Sequence, residues 1–304
     1  ANHVDKTMIR NELTFELSRR LSIAYTPRSF FIELYLNGHY RGVYQLTEHV
    51  RIDKDRVNIP ELKISDTSDD LISGGYLIEI DKRRGEDFCI DSEKTSMVFC
   101  LKNPETLLET GWESQRQYVV TYIRQTDNAI FSTQFKNPDT GYAAYIDVDT
   151  TILYYLINEF FYNPDGDLRY SAFLYKKRGD KFYFGPVWDF DIAIGNYWTD
   201  TTGWYIRQAD WFERLFEDPA FEQKVKDRWA QMKMDGTLNA LLAYIDDRAL
   251  YLKNAQENNF KKWPILSVQT TPRRNLPGSY QGEVNLMKEW LQNRYAWMDA
   301  RLSE

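Results

Sequence analysis

Apolar residues recur every fourth position at Ile9, Leu13, Leu17 and Leu21, which predicts an amphipathic helix over residues 6–22. From Phe30 that spacing gives way to β-rich runs. The run Phe30–Leu36, the pair Asn37-Gly38 and the run Val43–Leu46 predict a hairpin over 30–48, because Asn-Gly accepts the backbone angles of a two-residue turn. The polar stretch 53–70 reads as a loop. Gly74-Gly75 then opens a strand over Tyr76–Ile80, and a further strand is expected at Met97–Leu101. Helical spacing returns at 113–131 and at 149–162, the second very apolar with Ile152, Leu153, Leu156, Ile157 and Phe160. A second hairpin is expected from Ser171–Lys176, a turn at Lys177–Asp180, and Phe182–Trp188. Helices follow at about 211–232, 236–259 and 281–302, with 263–278, which carries three prolines, as an irregular loop. This distribution predicts an α+β fold in one domain over 1–304. Residues 1–104 form its strand-rich lobe, and 105–304 its mostly helical lobe with a hairpin near 171–188.

Charge narrows the function. The net charge of -7 argues against a nucleic-acid partner or an anionic membrane surface, both of which call for basic surface. No run approaches 18 apolar residues, so no transmembrane segment is expected. Cys89 and Cys100 stand at a spacing that suits a bridge across a hairpin, with two free thiols as the alternative; no CxxC or paired His suggests zinc. Aromatic residues make up 15%, a level that keeps a sugar-cleaving enzyme among the candidates, although no carboxylate spacing selects that reaction. The start at Ala1, just ahead of Asp5-Lys6-Thr7, suggests that the chain continues something upstream.

The remaining chemistry is that of carboxylates. His3, His39 and His49 stand beside no nucleophile and in no HExxH, and neither GxGxxG nor GxxxxGK[ST] occurs, so zinc hydrolysis, a Ser-His-Asp triad, a dinucleotide enzyme and a P-loop are not indicated. Acids cluster instead in Asn163-Pro164-Asp165-Gly166-Asp167 and in Gly185-Pro186-Val187-Trp188-Asp189-Phe190-Asp191. A helix end, a hairpin and a loop can bring both groups to one edge, where paired carboxylates suit Mg²⁺ or Mn²⁺. The plainer reading is an Asx-type turn and a capped strand end. Glu48, beside His49, Arg51, Lys54 and Arg56, is a carboxylate in a basic cluster able to bind phosphate, or a solvated hairpin end. Arg169 can pair with Asp165 or Asp167.

Several of these segments resemble the CotH family of atypical protein kinases. Asn37-Gly38-His39-Tyr40-Arg41-Gly42-Val43-Tyr44-Gln45-Leu46-Thr47-Glu48 resembles its NGxYxGxYxLxE signature. Asp5-Lys6 through Arg10-Asn11-Glu12-Leu13 resembles its DKxxxRNxL helix, and Gly74–Asp81 its GGYxxxxD strand. Tyr175, the lysines after it and Gly185–Asp191 resemble its LYxxxxGxxxxxPWDxD block. Trp263-Pro264 and Arg294-Tyr295-Ala296-Trp297-Met298 also fit.

The resemblance implies a two-lobed, kinase-like fold and transfer of the ATP γ-phosphate, with Mg²⁺ or Mn²⁺, to serine or threonine of extracytoplasmic surface or coat proteins. Carried over by position, Asp165 matches the catalytic-loop acid, Asp189 the first metal-binding acid of WDxD, and Asp191 the second. Ser171 stands where the family has an Asn that binds a second metal, and one extra residue before it leaves Asp167 as an alternative to Asp165. The family's RGNS-type motif and basic strand ahead of the first helix have no counterpart in this sequence. These departures keep a non-catalytic surface scaffold open as the second reading.

Overall fold

Helix α1 (Arg10–Arg20) starts from a carboxylate five residues upstream. Asp5 accepts the backbone N–H of Thr7 at 3.0 Å and of Arg10 at 2.9 Å, satisfying donors that the first turn of a helix leaves open. The structure is a computed structural model and describes residues 2–273 and 275–303. The helix buries Leu13 and Leu17, the four-residue spacing seen in the sequence.

Strands β1 (Ser29–Leu36) and β2 (His39–Thr47) form the expected hairpin, with Leu36 opposite His39. Asn37 and Gly38 both have positive φ, 51° and 75°, the requirement that made the pair readable. One face of the hairpin docks on the helical side, where the Asn259 side chain accepts the Val43 N–H at 2.9 Å. The hairpin stands as its own two-stranded sheet.

The second sheet has five strands, all antiparallel, in the order β4 (Phe88–Asp91), β5 (Val98–Asn103), β3 (Tyr76–Ile80), β6 (Ala172–Lys176), β7 (Phe182–Phe184). Strand β3 is central, and β6–β7 is built into the same sheet as the early strands although some 70 residues of helix and loop intervene. Tyr76, Ile78 and Ile80 of β3 face the main core. Leu77 faces the opposite way, with Phe173 and Tyr175, into a smaller cluster closed by Val50, Val57 and Ile59. The polar stretch expected as a loop is therefore a cover over the sheet's second face. Its buried residues have neither strand nor helix period, so no element is visible in the sequence there.

The helices follow as α2 (Glu113–Phe131), α3 (Val148–Phe161), α4 (Asp210–Leu215), α5 (Pro219–Met234), α6 (Thr237–Tyr251), α7 (Lys253–Lys262) and α8 (Tyr280–Leu302). The helix expected at 211–232 is divided at Asp218-Pro219, where the Asp218 side chain accepts the Ala220 N–H and caps α5. The one expected at 236–259 is divided at Leu252. The described residues of 263–278 carry no helix or strand; Arg274 within that stretch, like Ala1 and Glu304, lies outside the described residues. The fold is mixed α+β, strand-rich in the first half and helical toward the C-terminus. Cys89 and Cys100 are direct cross-strand partners on β4 and β5 and are joined by a disulfide.

Candidate active site

The register of the five-stranded sheet assembles the site at one end. Ile80 pairs with Ala172, so Asp81, just after β3, and Ser171, just before β6, emerge side by side. The Lys82 N–H donates to the Arg169 carbonyl at 2.9 Å and continues that pairing past the strands. On the far side of the β6–β7 hairpin the chain runs through a cis Gly185-Pro186 peptide to Trp188 and Asp189.

The turn Asn163–Asp167 follows directly on α3, which ends with Tyr162 in the left-handed region. Asn163 accepts the Asp165 N–H through its side chain at 3.3 Å, an Asx turn. Gly166 packs against Asn158 so closely that a Cβ would lie 2.4 Å from the Asn158 side-chain oxygen, so any larger residue would displace the turn. The plainer sequence reading of this segment as a turn holds, and the turn sets two aspartates in different circumstances.

Asp167 is buried and committed: it accepts the Tyr205 hydroxyl at 2.8 Å and pairs with Arg169 at 2.9 Å. Burial raises its pKa, opposed by the Tyr205 hydrogen bond and the Arg169 charge. Asp165 is only half-buried, and its carboxylate has no hydrogen-bond or ion-pair partner among the described residues. Burial first, and then the charge of Asp189, push its pKa up to about 6. Asp191 is likewise raised to about 6, by burial and then by Asp189 and Asp5. Asp165, Asp189 and Asp191 therefore sit within each other's fields, an arrangement that disfavours three simultaneous negative charges.

Ser171 donates to Asp189 at 3.1 Å. Both have positive φ, 51° and 64°, a conformation that costs a non-glycine residue roughly 1 kcal/mol or more and concentrates at functional sites. The segment after Asp189 is held from the N-terminal helix. Asn11 accepts the Phe190 N–H at 2.7 Å, and the Arg10 guanidinium donates to the carbonyls of Ala193 and Ile194 at 2.9 and 3.2 Å. Arg10 is itself fixed by a buried ion pair with Asp5 at 2.6 Å. Asp5, Arg10 and Asn11 of that pattern thus clamp the acidic loop, whereas Lys6 donates to the carbonyls of Leu266 and Val268.

Asp189 and Asp191 face a polar cleft of about 190 Å³ that Asn11, Gln45, Thr47 and Trp188 also line. Among the described residues no three His, Cys, Asp or Glu side chains converge into a ready-made metal cage. A hard dication held by one or two carboxylates and completed by water and phosphate oxygens needs no such cage. Among the described residues the Asp191 carboxylate has no hydrogen-bond partner and that of Asp189 has one, Ser171, which fits that mode of binding.

Glu48 is placed elsewhere. It accepts the Arg28 N–H at 2.9 Å and the Arg28 guanidinium at 3.0 Å, with Arg56 3.9 Å away. It ties the two ends of the hairpin together, and the residues that reach the cleft from β2 are Gln45 and Thr47. The sequence reading gave no role to Asp81 and Arg83. Asp81 stood in a recognised motif, but Arg83 lies in the charged run Asp81-Lys82-Arg83-Arg84-Gly85-Glu86, which resembles any solvated turn. Tyr205, which reaches Asp167 from 38 residues downstream, left no local signal.

The sequence model of the family described as CotH kinase protein matches residues 1–298. A search of curated proteins finds no match. With a match over nearly its whole length, and with the matched segments meeting around one cluster of aspartates, the chain belongs to the CotH kinase family.

Proposed function

We propose that this chain is an ATP-dependent protein kinase that transfers the terminal phosphate to serine or threonine hydroxyls of extracytoplasmic surface or coat proteins, using Mg²⁺ or Mn²⁺. The observation that carries this reading is the cluster of Asp165, Asp189 and Asp191: the charge of Asp189 helps to raise the proton affinity of the other two, and among the described residues the only side-chain hydrogen bond to the three carboxylates comes from Ser171. Such a cluster is costly to fold unless a cation and anionic substrate complete it.

In this reading Asp189 is the principal cation ligand, because its direction is fixed by Ser171 and by the anchored Phe190 N–H. Asp191 is the second ligand. Ser171, in the place of the family's Asn, acts through its hydrogen bond to Asp189 and stands at the edge of the nucleotide site. A bound dication would screen the charge of the phosphates. Asp165, free and half-buried, faces the acceptor. The acceptor oxygen bonds to the terminal phosphorus as the bond from that phosphorus to its bridging oxygen breaks; the hydroxyl proton passes to Asp165, and the bridging oxygen keeps the electron pair. Asp167 holds the turn through Tyr205 and Arg169 and takes no proton. Glu48 fixes the hairpin end beside the nucleotide site through Arg28.

Export is supported by the disulfide between Cys89 and Cys100, since such bridges persist in oxidising compartments. Among the described residues no helix is long and apolar enough to cross a membrane.

The test is transfer of labelled γ-phosphate from ATP, with Mn²⁺, to a serine-rich surface protein. Incorporation by the wild type that disappears in Asp189→Ala supports the reading. Folded protein that transfers nothing would favour the scaffold, the reading that Ser171 in place of Asn suggests.

A further inference from the structure

Arg83 is a guanidinium aimed at the acidic cluster from outside every motif read in the sequence. Its Nε donates to both Asp81 carboxylate oxygens at 3.0 Å, and its Nη2 bridges Asp81 at 2.5 Å and the Ser171 hydroxyl at 3.0 Å. Its Nη1, with two N–H donors, has no hydrogen bond among the described residues. The side chain is 61% exposed, on the side where Asp165 and Asp189 feel its charge.

The mounting is rigid. The Arg83 N–H itself donates to Asp81 at 2.7 Å, the neighbouring Lys82 N–H holds the Arg169 carbonyl, and Cys100 Sγ lies 3.6 Å from the Asp81 carbonyl oxygen. The Tyr170 ring lies beneath the guanidinium, 5.3 Å from it. An arginine serving only to neutralise Asp81 needs neither the link to Ser171 nor an exposed second nitrogen. An arginine pre-set to receive an anion needs both, because a fixed planar fork loses little freedom when it binds phosphate oxygens.

We propose that Arg83 binds the terminal phosphate of the nucleoside triphosphate, donating from Nη1 to a phosphate oxygen while Nη2 stays on Asp81 and Ser171. This proposal rests on the kinase reading. It supplies a phosphate-gripping cation from within the described residues, at the turn after β3.

The probe is inorganic tripolyphosphate with Mn²⁺, titrated by calorimetry into the wild-type chain, Arg83→Gln and Arg83→Lys, with Mn²⁺ alone titrated in parallel and melting temperatures confirming folded protein. The expected result is tripolyphosphate binding about tenfold or more weaker in Arg83→Gln and intermediate in Arg83→Lys, since charged hydrogen bonds to phosphate carry that order of affinity. Binding of Mn²⁺ alone should be unchanged in both. Equal tripolyphosphate affinity in all three proteins, or none in the wild type, would overturn the proposal. So would an equal loss of Mn²⁺ binding in both variants, which would make Arg83 a purely structural partner of Asp81. The kinase reading is judged separately by labelled transfer. Arg83-dependent anion binding without transfer would end that reading and retain Arg83 as an anion ligand. Transfer that is intact in Arg83→Gln would do the reverse.

Discussion

Asp165 and Asp167 are two positions apart in one turn, yet their surroundings give them opposite duties. Asp167 is spent on Tyr205 and Arg169, whereas Asp165 keeps its oxygens free and has its pKa pushed up to about 6, as does Asp191. In an unfolded chain both would titrate near the usual value of about 4. Between those limits the folded protein binds more protons than the unfolded one, so these two groups stabilise the fold at low pH and withdraw that support as pH rises through about 6. In chelator, the melting temperature of the wild type should therefore fall between pH 4 and pH 6.5 relative to an Asp165→Asn, Asp191→Asn double variant. Parallel curves for the two proteins would show that burial and mutual repulsion have been misjudged. Addition of Mn²⁺ at pH 7.5 should restore the lost stability in the wild type and stabilise the double variant less, since that variant keeps Asp189 but lacks the second ligand Asp191.

At the scale of elements, the acidic loop depends on α1. Arg10→Met would leave Asp5 buried without its partner and free the carbonyls of Ala193 and Ile194, a change expected to cost roughly 3–5 kcal/mol in urea unfolding. Asn11→Ala removes one hydrogen bond, to the Phe190 N–H, and should cost only about 1 kcal/mol. Its effect on phosphate transfer should be far larger, because the peptide it fixes carries Asp189. A loss of activity no greater than the loss of folded protein would contradict that.

These dependences mark what was legible in the sequence. The hairpin was readable because Asn37-Gly38 is a local signal, and α1 and α3 because their apolar spacing is. The segments that carry Asp165, Asp189 and Asp191 were legible because each is a short motif at an element end, whereas the roles proposed for the three acids await the binding and transfer measurements. The pairing of β6 with β3 was not, since it joins residues nearly 100 positions apart and no local pattern encodes which strand is the neighbour. Arg83 was hidden for the same reason: its significance arises only when Asp81 and Ser171 meet across that pairing.

For the whole molecule, the five-stranded sheet carries information from one half of the chain to the other. The turn 81–87 leaves β3 at the site and returns as β4, which the Cys89–Cys100 disulfide fastens to β5. Reducing that bridge should lower stability by about 2–4 kcal/mol, and Cys89→Ser with Cys100→Ser should reproduce the loss. Non-reducing mass spectrometry of freshly isolated protein should find no alkylatable thiol; two would remove the support for an oxidising compartment.

The central claim is that the aspartates divide the labour, Asp189 holding the cation and Asp165 facing the acceptor. The most direct measurement sets Mn²⁺-ATP binding beside single-turnover transfer in Asp189→Asn and Asp165→Asn. Asp189→Asn should lose metal-linked nucleotide binding. Asp165→Asn should bind nearly as the wild type does and transfer about 10²–10⁴-fold more slowly, the range associated with a positioned proton acceptor. If Asp165→Asn weakens Mn²⁺-ATP binding as much as Asp189→Asn does, the two form one shared cation site and the division of roles is wrong.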